Sequence, residues 1–117
     1  LSLSALAPKK NVQVLDWGEE PSEPFDLILN CTSLSLSGKE PNIKASSIHK
    51  GTVCYDLSYG HDLTSFEKWA FRVGATSVFN GLGMLVEQAA EAFYLWHGIF
   101  PDTEPVIEKL KRKNRPD

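Results

Sequence analysis

The chain has 117 residues, of which 42% are hydrophobic and 23% charged, enough apolar material for one small core. Twelve Lys and Arg stand against fifteen Asp and Glu, a net charge of −3, which argues against nucleic acid or an anionic membrane as a partner. No run is long and apolar enough to read as a membrane span, and the opening LSLSALAPKK lacks the leading charge and length of a secretory signal, so a cytoplasmic protein is expected.

In chain order, NVQVLDW (11–17) carries apolar residues at alternate positions, which predicts a short strand. GEEPSEP (18–24) is an acidic, proline-marked loop. FDLILNCTS (25–33) is a nearly continuous apolar run closed by small polar residues, the pattern of a parallel strand covered on both faces. A Ser/Gly/Pro loop (34–43) leads to TVCYDLSY (52–59), a third strand candidate. LTSFEKWAFRVG (63–74) reads as a helix with Phe66, Trp69, Ala70 and Val73 on one stripe and Gly74 at its end. ATSVFN (75–80) is a last short strand, and Leu82 to His97 is a helix of ordinary length. PDTEPVIEKLKRK follows, with Asp102 or Thr103 as N-cap, acidic residues in its first turn and lysines in its last, an order that suits the helix dipole. The basic run Lys109–Arg115 is the solvated end of that helix. Strands alternating with helices give an α/β class with a mainly parallel sheet, without repeat or domain boundary.

Cys31 and Cys54 lie in apolar runs with no Cys-x-x-Cys spacing, which predicts buried, reduced thiols. His49, His61 and His97 follow no metal-ligand spacing, and no serine sits in a glycine elbow, so neither a metal site nor a nucleophile–base pair is expected.

Three places carry candidate binding residues. In NGLGMLVEQ the glycines Gly81 and Gly83 are followed, where a dinucleotide fingerprint needs its third glycine, by Val86, whose side chain would block close helix–strand packing. The glycines therefore either bring a backbone close to a flat ligand or bend a strand into a helix. Met84 and Gln88 share a helix face one turn beyond Gly81, beside a stripe of Leu85, Ala89, Phe93 and Trp96. The Gln88 amide suits a hydroxyl ligand, or it is an ordinary surface glutamine. Tyr59 falls at the carboxyl end of its strand, the edge where open α/β sheets bind ligands, though a rim tyrosine would read the same. NCTS (30–33) ends another strand with hydroxyls and amides that face the same crevice or serve only the turn.

Taken together, FDLILNCTS, CYDLSY and GLGMLVEQAAEAFYLWHGIFPDTEPVIEKL resemble shikimate dehydrogenase, in that family's order and spacing, from about Val12 to Leu110. The resemblance implies an NADP-linked reduction of 3-dehydroshikimate to shikimate, and a fold that is the C-terminal half of a doubly wound Rossmann-like parallel sheet with flanking helices. It implies that Tyr59 and Gln88 contact shikimate, that backbone at Leu57 and Gly81 lies beside the nicotinamide, that Met84 packs against that ring, and that Thr32 and Ser33 stand at the strand end near the cofactor. Cys31 where alanine is usual, Asn80 where aspartate is common and Ser65 where proline often stands are small departures. The larger one is absence: the family's catalytic lysine and aspartate, its glycine-rich pyrophosphate loop and its Asn-Arg-Thr-type motif have no counterpart in these 117 residues. The chain is thus expected to be one partial domain without the N-terminal substrate domain, inactive by itself, with no catalytic residue of its own. Its rivals are a quinate/shikimate dehydrogenase fragment using NAD or NADP, and a non-catalytic binding or dimerisation module. A half sheet exposes an apolar edge and face, so self-association is also expected.

Overall fold

A computed structural model describes residues 12–113. Three short parallel strands, β1 (Leu27–Asn30), β2 (Val53–Asp56) and β3 (Ser77–Phe79), form a sheet in the order β1-β2-β3. The register sets Leu29 beside Tyr55 and Tyr55 beside Phe79, so these three share one face, while Ile28, Cys54 and Val78 share the other. The α/β class and the parallel pairing agree with the sequence pattern.

Helix α1 (Ser65–Arg72) joins β2 to β3 and covers the second face. It starts with a capping box: the Thr64 hydroxyl accepts from the Glu67 amide, and the Glu67 carboxylate accepts from the Thr64 amide at 2.7 Å. It stops at Gly74, whose φ of +101° is open to glycine at little cost, and the amides of Gly74 and Ala75 close back on Phe71 and Ala70. The expected stripe is the one buried. Phe66 and Ala70 are fully enclosed and Trp69 nearly so, packed with Cys54 and Ala75 and flanked by Ile28, Val73 and Val78. Burying Phe66 stabilises by about 1.5–3 kcal/mol in transfer free energy.

The other face is bare. Leu27, Leu29 and Phe79 are each 53% exposed. β1 is therefore not covered on both faces as its apolar run suggested. Among the described residues only α1 packs broadly on the sheet, while α2 (Leu82–His97) packs against α3 (Glu104–Lys113). Along α2 the buried positions are Leu82, Val86 and Ala90. Phe93, Tyr94, Leu95 and Trp96 are exposed.

Two further expectations are corrected. Residues 12–17 form no strand: Val12 and Val14 are exposed, and Trp17 sits in a turn whose Gly18 amide bonds the Asn42 carbonyl. Alternation marks a half-buried face, but a strand also needs a ladder partner, and among the described residues β1 pairs with β2 alone. Asn11 lies outside the described residues. Cys31 is exposed, because β1 ends at Asn30 and Cys31 falls in the turn beyond. Cys54 is buried as expected, and burial pushes its thiol pKa up.

Candidate functional site

All three strands point their carboxyl ends at one edge, and a polar network ties those ends together. Asp56, the last residue of β2, is fully buried and accepts four hydrogen bonds. Its Oδ1 takes the Asn30 amide at 3.1 Å and the Ser58 backbone amide at 3.0 Å, and its Oδ2 takes the Ser35 hydroxyl at 2.7 Å and the Thr64 hydroxyl at 2.6 Å. A carboxylate has about four lone-pair sites, so the set saturates it. On one side, Asn30 also accepts the Thr32 hydroxyl at 2.7 Å. On the other, Thr64 leads through the capping box to buried Glu67, which accepts Asn80 Nδ2 at 3.4 Å. Asn80 in turn accepts the amide of Leu82, the first residue of α2, at 3.1 Å. The network thus runs from the end of β1 to the start of α2.

That network frames the close approach of Leu57 and Gly81. The Gly81 amide bonds the Ser58 carbonyl at 3.0 Å, and a β-carbon built on Gly81 would lie 2.7 Å from the Leu57 carbonyl carbon. No side chain fits there. Gly81 has φ −76°, so its glycine identity answers to space and not to backbone conformation. What the missing side chain admits is the chain's own backbone at Leu57. Gly83 differs: a β-carbon there meets nothing within 4 Å.

The other sequence-derived candidates fall at varied distances from this point. Met84, in the first turn of α2, is 43% exposed. Thr32 spends its hydroxyl within the turn, donating to Asn30 and accepting the Leu34 amide at 3.3 Å, whereas Ser33 is exposed at the head of a 3-10 turn with no side-chain cap bond. Tyr59 is exposed three residues past the end of β2 and borders a cavity with Ser35, Ser58, Asp62, Thr64 and Lys68. Gln88 lies two turns into α2, donates to the Leu85 carbonyl at 2.9 Å and borders a different, apolar groove between α2 and α3. The structure brings Leu57 and Gly81 together, whereas Tyr59 and Gln88 border two different cavities.

Asp56, Glu67 and the joining role of Asn80 were missed from the sequence. A signal existed: Asn30, Asp56 and Asn80 each end, or directly follow, one of the three strands. Among the described residues no group of acidic, histidine and cysteine side chains is arranged to hold a metal ion, and no helix is long and apolar enough to cross a membrane.

Comparison with known proteins bears on the whole edge. Residues 81–111 match the shikimate 5'-dehydrogenase C-terminal domain. A shikimate dehydrogenase (NADP(+)) of Marinobacter nauticus is 52% identical over 93 residues, 80% of this chain and 34% of that protein. A crystal structure of a shikimate dehydrogenase in complex with NADP+ superposes with a TM-score of 0.64 at 35% identity, over 75% of this chain and 31% of the other. A ligand-free 5-ketofructose reductase of Gluconobacter sp. superposes with the same TM-score of 0.64 at 30% identity, over 75% and 32%. The chain spans about a third of the length of the relatives it matches, and its similarity is to shikimate dehydrogenases, most specifically to their C-terminal domain.

Proposed function

We propose that residues 1–117 are one partial domain, the C-terminal third of an NADP-dependent shikimate dehydrogenase whose full-length form reduces 3-dehydroshikimate to shikimate. The observation that carries this reading is the 52% identity to a shikimate dehydrogenase (NADP(+)) across most of the chain. The geometry is compatible with it in one respect: the Leu57 backbone and Gly81 meet at the carboxyl edge of a parallel sheet, the edge where open α/β sheets bind ligands. In this reading the cofactor supplies the hydride. The backbone of Leu57 and Gly81 seats the nicotinamide, the soft side chain of Met84 packs on it, and Thr32 and Ser33 border it at the end of β1. Tyr59 and Gln88 bind hydroxyls of the substrate and thereby orient its carbonyl toward the ring. Neither is a proton donor in the reaction, so the chain supplies no catalytic residue.

The reading includes a cytoplasmic location, supported by two unpaired cysteines, one of them exposed. It also includes self-association of the isolated chain through the bare Leu27, Leu29 and Phe79 face, which sedimentation at rising concentration tests directly.

A second substrate is favoured by one observation, the 30% identity to a 5-ketofructose reductase. The full-length protein assayed with NADPH decides between them. Turnover of 3-dehydroshikimate at least tenfold faster than of 5-ketofructose is expected. The reverse preference, or turnover of 3-dehydroshikimate by the 117-residue chain alone, would overturn the reading.

A further inference from the structure

We propose that Asp56 is a positioning residue for the nicotinamide: a buried carboxylate that sets the height and tilt of the Leu57–Ser58 backbone on which the ring rests. The proposal builds on the dehydrogenase reading above and adds a residue that makes no contact with cofactor or substrate.

Asp56 faces four donors. The two amides, Asn30 Nδ2 and Ser58 N, can only donate. The two hydroxyls donate as well, Thr64 Oγ1 while accepting the Glu67 amide and Ser35 Oγ while accepting Asn30 Nδ2 at 3.3 Å. Four hydrogens therefore converge on one side chain, and they come from β1, from the turn after it, from the segment after β2 and from the cap of α1. Only one of the four is backbone of the seat itself, Ser58 N, directly after Leu57. The same Ser58 offers its carbonyl to Gly81 N at 3.0 Å. Asp56 thus holds one end of the Leu57–Ser58 unit, Gly81 closes on the other, and the remaining three bonds brace Asp56 against the rest of the fold. A seat held this way has little freedom to shift, and small shifts of a reacting ring are costly in hydride transfer.

Asp56→Asn in the full-length enzyme keeps the size of the side chain but turns one acceptor oxygen into a donor that faces two donors. Ser35→Ala removes a single brace and leaves the carboxylate in place. Phe66→Leu, in the core under α1 and remote from the seat in role, supplies a variant with a comparable loss of Tm. The expected result is that Asp56→Asn lowers kcat about 10- to 100-fold and raises the Kd for NADP+, measured without substrate, with KM for 3-dehydroshikimate changed less. Ser35→Ala should move both quantities in the same direction by a smaller factor, and Phe66→Leu should move neither. Equal kinetics in Asp56→Asn and Phe66→Leu at equal Tm would overturn the proposal, since Asp56 would then serve the fold alone. If Asp56→Asn does not fold, Ser35→Ala decides, and unchanged kcat and NADP+ affinity there would also overturn it. Failure of the dehydrogenase reading is a separate outcome: it shows as absent 3-dehydroshikimate turnover in the wild type, while the NADP+ Kd still reads the seat.

Discussion

The two faces of the sheet are built from alternate residues of the same three strands, yet they differ sharply. On one, Cys54 meets Phe66, Trp69 and Ala70, and the contact is closed to water. On the other, Leu27, Leu29 and Phe79 stay half in solvent, and the Tyr55 and Phe79 rings stack with centroids 6.5 Å apart. The side chains are equally apolar, so hydrophobicity does not separate the faces. What separates them is whether the chain carries the covering element. The covering helix α1 lies between β2 and β3 and comes with them; the described residues include nothing equivalent for the opposite face.

The largest test of this contrast compares Phe66→Ala with Leu29→Ala. The first opens a cavity in a closed core and should cost about 3–5 kcal/mol in denaturant unfolding. The second removes a side chain already exposed and should stay within about 0.5 kcal/mol in the 117-residue chain. The contrast sharpens if the Leu29→Ala cost rises to about 2 kcal/mol or more in a full-length protein, where a second layer covers the face. Equal costs in the isolated chain would mean that the bare face is already buried there, by self-association.

How much was legible follows the same line. The bounds of α2 and the buried stripe of α1 could be read because periodicity and caps are local signals carried entirely within each segment. The strand expected at 11–17 and the two-sided cover of β1 could not, because both depend on partners that no local pattern announces. Asp56 was hidden for a different reason. An aspartate at a strand end looks like turn chemistry, and only the fold shows that donors 26 residues before it and 8 after it converge there. Gly81 was half legible: its need for space could be read, but the occupant of that space is the Leu57 backbone.

The next effect in size belongs to the two glycines. Gly81→Ala drives a β-carbon into the Leu57 carbonyl, a backbone group that cannot step aside alone, and should cost about 1–3 kcal/mol as overpacking. Gly83→Ala, two residues on in the first turn of the helix and facing open space, should be neutral or stabilising by up to about 1 kcal/mol. Thermal melts of the two variants read this directly. A Gly81→Ala melt that matches wild type would show that the Leu57–Ser58 backbone is mobile, and would weaken the case for a rigid seat.

Smaller again, and dependent on pH, is Asn80→Asp. Asn80 Nδ2 donates to buried Glu67, so an aspartate would bring a second carboxylate to about the same place. Two facing carboxylates raise each other's pKa in the native state, which then binds more protons than the unfolded chain. The variant should therefore lose stability relative to wild type as pH rises from about 4 to 7, by about 1–2 kcal/mol at the upper end. A wild-type-like profile would show that Glu67 and residue 80 do not face each other across the start of α2.

The smallest effect lies on the covered side, where the loop after β1 is pinned to α1 by Glu40 and Arg72. Their bidentate bonds are 2.6 and 2.7 Å long, and both side chains are about half exposed. The Arg72 hydrogen bond holds the Glu40 carboxyl below its ordinary value of 4.5, and the same contact raises Arg72. Because the native Glu40 gives up its proton more readily than the unfolded one, the pair stabilises the fold above pH 4.5, and that contribution fades as pH falls through the lowered native value. Exposure and salt screen it, so the Arg72→Ala change should move Tm less than Phe66→Ala, Gly81→Ala or Asn80→Asp, and less still in high salt. Its signature is its pH window: wild type and Arg72→Ala should differ at neutral pH and converge in acid. A difference that persists unchanged at acid pH would mean that Arg72 contributes through the packing of its stem on α1, and that the covered side owes nothing to this ion pair.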